Sequence, residues 1–374
     1  MKNDKIIIDS HIHYSMPKTI DDLIDALKLS KADNLNLVAQ IDPKKSSETM
    51  DCLFAKYLLN NKIFVYSSLD ITAYYKGDNI GKNLAKYVEE IMDVGSDGIK
   101  MIEGKPEYRK KIPIPSFDSK TFEPYFDYME KKQIPIIWHV NDPEEFWDLK
   151  KIPTWALKAG WYYNETYVNN DKQYEEVLNV LTKHPNLKVT FAHFFFLSND
   201  LNRLASIFDT YPNVSVDMAP GIELYENLSN NIAEAKKFFV KYQDRIIYGT
   251  DICRLDTDID EEFNHNDAIV RGLLCQDFLT KDRVYLKGNE KSLLGKDDVI
   301  LNGLSLDEKI TNKIFSTNFL KSHLYPKSIK KEKMIEEIAK EKERVLYLKS
   351  LGLSSGDITR FEEMNTKIKE KIKR

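Results

Sequence analysis

"IIIDSHIHY", residues 6–14, is the stretch on which the reading of this chain turns. Three branched apolar residues lead into Asp9, His11 and His13, which occupy every second position. In an extended chain successive side chains face opposite sides. His11 and His13 therefore share a face, about 7 Å apart along the strand. Two imidazoles so placed can converge on one metal ion at about 2.0–2.1 Å. A buried strand that merely ends in polar residues is the competing reading. A lone histidine at a strand end is usually ordinary core or surface, whereas two in register favour a ligand pair.

Outward from this stretch the chain repeats one pattern. Short branched runs, "KIIIDSH", "LNLVAQI", "IFVYSSLD", "DGIKMI", "IPIIWHV", "KVTFAHF", "VSVDM" and "RIIYGTD", alternate with longer amphipathic stretches near 20–31, 47–60, 82–94, 118–132, 173–184, 199–210, 229–242 and 265–279. Eight strands with intervening helices predict an α/β fold, a closed (β/α)8 TIM barrel. "IPIIWHV" is apolar at nearly every position, as a strand covered on both faces requires. The longest strand-to-helix connection, 141–172, carries an aromatic-rich segment that suits either a substrate lid or packing on the barrel rim. After about residue 280 the alternation stops. "IKKEKMIEEIAKEKERVLYLKSLGL" and "DITRFEEMNTKIKEKIKR" read as two charged, moderately amphipathic helices. The expected division is a barrel over 1–325 and a helical extension over 326–374, which packs on the barrel, mediates a subunit contact or lies in solvent.

The bulk numbers exclude several classes. The 374 residues are 42% hydrophobic and 30% charged, a composition that folds. A net charge of −4 offers no basic field for nucleic acid. Cys52, Cys253 and Cys275 are odd in number and widely spaced, which fits a reducing compartment rather than a disulfide framework. No signal-peptide core or membrane-length apolar run is present. The expectation is a cytoplasmic protein acting on a small molecule, with no nucleic-acid or membrane partner and with homo-oligomerisation left open.

Catalytic groups of such barrels sit at the ends of several strands. Four of the seven histidines do so: His11 and His13 on the first strand, His139 ending "IPIIWHV" and His193 ending "KVTFAHF". Asp251 ends "RIIYGTD". His184, His265 and His323 fall in helix or loop sequence. An ionisable group closing an apolar strand is costly without a partner, and convergence on a metal would supply one.

With these residues in view the chain resembles the amidohydrolase superfamily, in the branch that includes aminocarboxymuconate semialdehyde decarboxylase and related hydrolases. The likeness spans about residues 5–322 and rests on "DSHIH", "WH" at strand five, "FAH" at strand six and "YGTD" at strand eight, with "IFSTNFLKSH" similar to the family's closing helix. The resemblance implies that His11, His13, His139 and Asp251 are metal ligands, Asp251 also handling a proton. It implies that His193 is the catalytic histidine, or a ligand to a second ion. Asp9 becomes a second-shell residue orienting the pair through hydrogen bonds. Lys100, in "DGIKMI", stands where some members carry a carboxylated lysine bridging two metals. One ion is favoured, with Lys100 then a substrate contact or neutralised by Glu103 or Asp217. Zn2+ is the first expectation for so nitrogen-rich a set, with Mn2+ open.

Two departures fall beside the expected pocket: bulky "HFFF" follows the strand-six histidine, and "TDICR" replaces an aromatic and proline after the last aspartate. They put the substrate in doubt. Trp161, Tyr162, Lys105 and Arg254 are the candidate substrate contacts. The expected activity is metal-dependent hydrolysis of an amide, lactone or ester. The alternative is non-oxidative decarboxylation of an unsaturated or aromatic acid; retention of Asp9, which decarboxylases of the branch often replace, tilts against it. A barrel that binds without turnover is the third reading, disfavoured because every ligand position is filled.

Overall fold

Eight strand positions run parallel in one sheet: Ile8–Tyr14, Asn34–Val38, Ile63–Ser67, Gly98–Gly104, Ile136–Val140, Val189–Phe191, Val214–Asp217 and a last strand in two pieces, Ile246–Ile247 and Ile252–Leu255. The first piece pairs with the seventh strand and the second with the first strand, so the sheet curls round on itself. This is the TIM-barrel-like α/β architecture that the alternation predicts. The structure is a computed structural model that describes residues 6–15, 20–59, 62–255, 261–289 and 297–372. Helices follow the strands within a few residues of expectation, including Ile20–Leu29, Thr49–Leu59, Ile80–Val94, Glu123–Lys132, Asn170–Lys183, Leu201–Thr210, Ile232–Lys241 and Glu261–Thr280.

The second, third, fifth and last strands divide their apolar residues between two layers, as the period of two requires. In the third strand Ile63 and Val65 join the large cluster under the helices, while Phe64 and Tyr66 join a small cluster with Ile8, Val38, Ile137, Ala192, Ile247 and Phe319. That small cluster fills the barrel interior. Phe319 reaches it from the segment after the barrel, which Asn318 anchors by donating from Nδ2 to the carbonyls of Gln243 and Ile246, 2.8 Å each.

The first strand departs from strict alternation. Ile8 lies in the interior cluster and Ser10 lines the same space, yet Ile12 and Tyr14 belong to the outer cluster. The phase changes where the ladder to the second strand shifts register, between Asp9 and Ile12. Such an irregularity re-aims the following side chains. Below it the even-numbered residues face inward, and above it His11 and His13 do. Asp9 therefore does not share the face of the two histidines.

Beyond the barrel the two C-terminal helices, Lys331–Ser350 and Thr359–Ile372, pack on it. Met334, Ile338, Val345 and Leu348, with Phe361, Met364 and Ile368, recur at helical spacing and belong to the large cluster. Among the described residues no helix is long and apolar enough to cross a membrane.

Candidate metal centre

His11, His13 and Asp251 meet where the first strand runs beside the last. One donor atom from each lies within 4.8 Å of the other two. Asp251 Oδ1 is 3.0 Å from His13 Nε2 and 3.5 Å from His11 Nε2. The approach depends on Gly249, since a Cβ there would meet the His11 Cβ at 3.0 Å and the Ser10 Oγ at 3.1 Å. Asp251 itself adopts a left-handed backbone, φ 54°, and its N–H donates to the His11 carbonyl at 2.9 Å. Burial alone would raise its carboxyl, but the hydrogen bond from His13 and the Arg271 guanidinium, 3.2 Å from Oδ2, hold it well below the usual carboxylate range. Asp251 is thus a charged acceptor.

The ring of His11 is fully buried, and burial lowers its pKa well below the ordinary value, so it is neutral and able to ligate. Its Nδ1 stands 2.9 Å from Asp217 Oδ2. A carboxylate on Nδ1 fixes the tautomer and leaves Nε2 free for an ion, the arrangement that metal-binding histidines generally show. Asp217 Oδ1 in turn accepts from the backbone N–H of His193, 2.9 Å, and of Ala219, 3.1 Å. His13 is met from the other side by Gln40, whose amide nitrogen lies 3.0 Å from Nδ1 and 3.3 Å from Nε2; ligation through Nε2 requires that amide to turn its carbonyl to Nδ1. Sequence reasoning weighed Asp217 only as a partner for Lys100 and missed Gln40 and Arg271. Asp217 did carry a signal, since it closes "VSVD" as Asp251 closes its own strand.

Asp9 lies elsewhere than beside the rings. Its carboxylate accepts from Thr250 N at 3.0 Å, Thr250 Oγ1 at 2.5 Å and His11 N at 3.3 Å. It ties the main chain of the first strand to the turn that carries Asp251. Burial pushes its pKa up to about 7 against these bonds.

His193 stands on the far side of the cluster, its ring 5.3 Å from that of His11 and 4.9 Å from that of His139. Residues His193 to Phe196 all have left-handed φ, 51–59°, which costs of order 1 kcal/mol per residue for side chains other than glycine. The "HFFF" run supplies the compensation. Phe194 stacks on Phe239 at 5.7 Å, Phe195 on Phe191 at 3.7 Å, and Phe196 on His193 itself at 5.2 Å. The bulky run is therefore the anchor of the turn that carries His193. His193 Nδ1 lies 3.1 Å from the Ala219 carbonyl, so it carries the proton and Nε2 holds the free lone pair.

His139 is not in the three-residue group. Its Nε2 lies 3.3 Å from Asp142 Oδ1, and burial lowers its pKa to about 4. Asp142 also takes the Lys105 ammonium at 3.1 Å and the Tyr163 hydroxyl at 2.5 Å. Burial would raise this carboxyl, yet Lys105 and the other donors bring it well below the usual range. Tyr163 belongs to the 141–172 connection, which folds round its own small core of Phe146, Ala156 and Tyr163 with Trp147, Ile152, Trp161 and Tyr167 packed against it. Lys105 lies over the Trp161 ring, 4.6 Å from its centre. The two candidate substrate contacts thus hold each other. The Arg254 side chain lies outside the described residues.

Lys100 is buried on the fourth strand, with Nζ 3.0 Å from His11 Nε2. Burial lowers its pKa to about 8, opposed by Asp217 and Asp251. Glu103 does not pair with it; Oε1 accepts from the Tyr74 hydroxyl at 3.0 Å. A cleft of about 260 Å³ opens beside His193, lined by Glu144, Glu145, Phe196, Ser198, Asn199 and Glu223 among others.

The residues fit a divalent ion. Two imidazoles and one carboxylate are donors that such an ion takes, and Asp217 on Nδ1 leaves His11 Nε2 unprotonated. Such an ion requires Lys100 to be uncharged or turned from Nε2.

A family model described as "Amidohydrolase" matches residues 84–318, more than half of the chain. A comparison with curated proteins gives no match. Among solved structures, one described as an amidohydrolase II aligns at TM-score 0.52 and 15% identity, over 84% of this chain and 99% of its own. An uncharacterised TIM-barrel protein from Bordetella bronchiseptica aligns at 0.53 and 13%, over 84% and 97%. The IDCase of Metarhizium anisopliae in apo form aligns at 0.51 and 11%, over 85% and 97%. At these identities the likeness is one of fold.

Proposed function

The chain belongs to the amidohydrolase family, a metal-dependent enzyme family, and from that premise we propose that it hydrolyses an amide, lactone or ester of a small molecule at the His11, His13 and Asp251 centre. The observation that carries this reading is the convergence of those three donors within 4.8 Å, beside the ring of His193. One divalent ion suits three donors, and Zn2+ suits two imidazoles best, with Mn2+ the next choice. When bound, the ion supplies a Lewis acid and makes water nucleophilic near neutral pH. His139 is a fourth ligand in this scheme if it exchanges Asp142 for the ion.

The protein's own groups do the rest. Asp251 is held charged by His13 and Arg271, so Oδ1 can accept the proton of the attacking water. His193 is oriented by the Ala219 carbonyl with a lone pair on Nε2: it takes that proton on from Asp251, which returns to the carboxylate, and passes it to the leaving group. Trp161 of the long connection and Lys105, which follows the fourth strand and lies over the Trp161 ring, contact the substrate, and the buried Lys100 holds a polar substrate group. Cys52 and Cys275 are free and buried, which supports a cytoplasmic setting.

The test is turnover in H2¹⁸O by the zinc-loaded protein against a panel of amides, lactones, esters and unsaturated or aromatic acids. Hydrolysis places one ¹⁸O in the acyl product, and both His193→Ala and Asp251→Asn abolish it. Release of carbon dioxide with solvent hydrogen on the carbon that bore the carboxyl group would establish decarboxylation instead. Activity untouched by both substitutions would refute the assigned roles.

A further inference from the structure

The cleft beside His193 is acidic and carries no counter-charge. The segments after the fifth, sixth and seventh strands build it: Glu144 and Glu145 come from the first, Phe196 and Ser198 from the second, Glu223 from the third. None of its lining residues is a lysine or an arginine, and none is His11, His13 or Asp251. It is a compartment of its own that borders on His193. Charges taken out of water are normally paired. Here Glu144 meets the Asn199 amide at 3.3 Å, Glu145 makes no side-chain hydrogen bond or ion pair among the described residues, and the Glu223 carboxylate meets only its own main-chain N–H. Glu223 lies folded over Gly221, where a Cβ would meet its two carboxylate oxygens at 2.1 and 2.2 Å. The φ of Gly221, −89°, suits any residue, so what the glycine provides is room for that carboxylate. Burial raises the Glu223 carboxyl to about 7, and Glu145, Asp142 and Glu226 add to the effect. An acid so perturbed inside a cleft marks a place where a ligand acts.

The three glutamates do not converge as metal ligands: among the described residues only His11, His13 and Asp251 bring three donor atoms within 4.8 Å of one another. Carboxylates spread round a cleft suit a larger cation with several N–H donors, and an ammonium group has three. Phe196, stacked on His193 at 5.2 Å, adds an aromatic wall that a cation also favours. We propose that this cleft receives the leaving group of the substrate and that the leaving group carries a protonated amine, held by Glu223 and Glu145. This rests on the reading of His193 as the residue that hands a proton to the departing atom. In that step the water oxygen bonds to the acyl carbon and the bond from that carbon to the leaving nitrogen or oxygen breaks. The departing atom takes its proton from His193 Nε2, on the border of the cleft. The substrate class narrows to amides of diamines and esters of amino alcohols.

The experiment uses the full chain loaded with zinc and three probes of equal length, butane diammonium, butanediol and succinate, followed by ligand-detected NMR. The diammonium is expected to bind about tenfold tighter than the diol, as hydrogen bonds to charged groups imply, and to weaken as salt is added. Glu223→Gln and Glu145→Gln each lower its affinity several-fold, with zinc content and diol binding unchanged. Equal binding of diammonium and diol, tighter binding of succinate, or wild-type diammonium affinity in either variant would overturn the proposal. If E223Q does not fold, E145Q decides alone. Turnover then locates the charge. N-acetyl butanediamine, N-butylacetamide and the butylamide of γ-aminobutyric acid place it on the leaving side, nowhere and on the acyl side. The first is expected to have the highest kcat/KM, through KM, and to lose that lead in E223Q. A preference for either of the other two, with hydrolysis intact, overturns the proposal and leaves the hydrolase reading standing. If no amide, lactone or ester is cleaved, the hydrolase reading fails, and the binding result alone decides whether the cleft is an amine site.

Discussion

Replacing Asp217 by asparagine tests the orientation of His11 without disturbing the barrel. Oδ1 of Asp217 accepts two backbone N–H groups, from His193 at 2.9 Å and Ala219 at 3.1 Å, and Oδ2 faces His11 Nδ1 at 2.9 Å. Asparagine keeps the first two bonds through its carbonyl and turns an NH2 group toward Nδ1. That group donates, so His11 must present an unprotonated Nδ1 and carry its proton on Nε2. Nε2 is the nitrogen facing Asp251, at 3.5 Å, and a protonated nitrogen cannot ligate. The expected loss of zinc affinity is about 10–100-fold, or about 1.4–2.7 kcal/mol. The metal-free fold should lose less than in the alanine variant, because both main-chain N–H groups keep their acceptor and a desolvated carboxylate is removed, while Lys100 Nζ gives up the His11 Nε2 lone pair. Asp217→Ala serves as the contrast. It orphans two buried N–H groups at about 1–3 kcal/mol each and lowers the unfolding free energy by roughly 2–6 kcal/mol. Zinc competition and denaturant unfolding on both variants give the result. An asparagine variant that binds zinc like the wild type, or unfolds like the alanine variant, would refute the tautomer argument.

Glu103 is fully buried and its pKa is raised to about 7 by burial. The unfolded chain ionises it near the ordinary 4.5, so the folded state holds an extra proton between those values and stability falls as pH rises from about 4.5 to 7, by up to roughly 3 kcal/mol. Glu103→Gln should remove that part of the pH dependence in urea unfolding; an unchanged slope would count against it. Phe194→Ala strips a fully buried ring from Phe239 and Phe238 and should cost about 3–5 kcal/mol; a loss below 1 kcal/mol in thermal or denaturant unfolding would mean the left-handed turn is not anchored there. Tyr163→Phe deletes the hydrogen bond to Asp142, worth about 1.5–3 kcal/mol to a charged acceptor. Amide hydrogen exchange should speed up within 144–167 and stay constant in the barrel strands, and uniform acceleration would contradict a separately packed connection.

Barrel strands were legible because burial on both faces leaves runs such as "IIWHV" with no polar interruption until the strand ends. The same logic located His11, His13 and Asp251, since an ionisable residue closing such a run stands out. It misread the first strand in one respect. Strict alternation would set Asp9 beside the two histidines, and the register shift between Asp9 and Ile12 undoes this. An irregularity of one residue carries no composition signal. Asp217 was in plain view at a strand end, but a carboxylate that orients a ligand and one that serves as a ligand look alike in sequence. Gln40 and Arg271 had no signal: each is a common polar residue whose role arises only when a hairpin or a helix brings it against the site. The hairpin at 41–47 is too short for periodicity to register.

Partners, more than position, divide the work among the buried carboxylates. Asp9 spends both oxygens on the Thr250 side chain and on main-chain N–H groups, and so acts on the backbone. Asp217 spends one oxygen on main-chain N–H groups and keeps the other for His11. Asp142 is surrounded by Lys105, Tyr163 and His139, three partners for two oxygens, which makes it a fastening for the long connection. Asp251 differs in kind. Its Oδ2 lies 3.2 Å from Arg271, while Oδ1 faces the imidazole nitrogens of His13 and His11. It is also the one of the four whose side chain retains appreciable exposure, 15%. A carboxylate proposed to ligate, accept a proton and meet substrate needs charge, imidazole neighbours and a path to solvent, and among these four Asp251 combines all three.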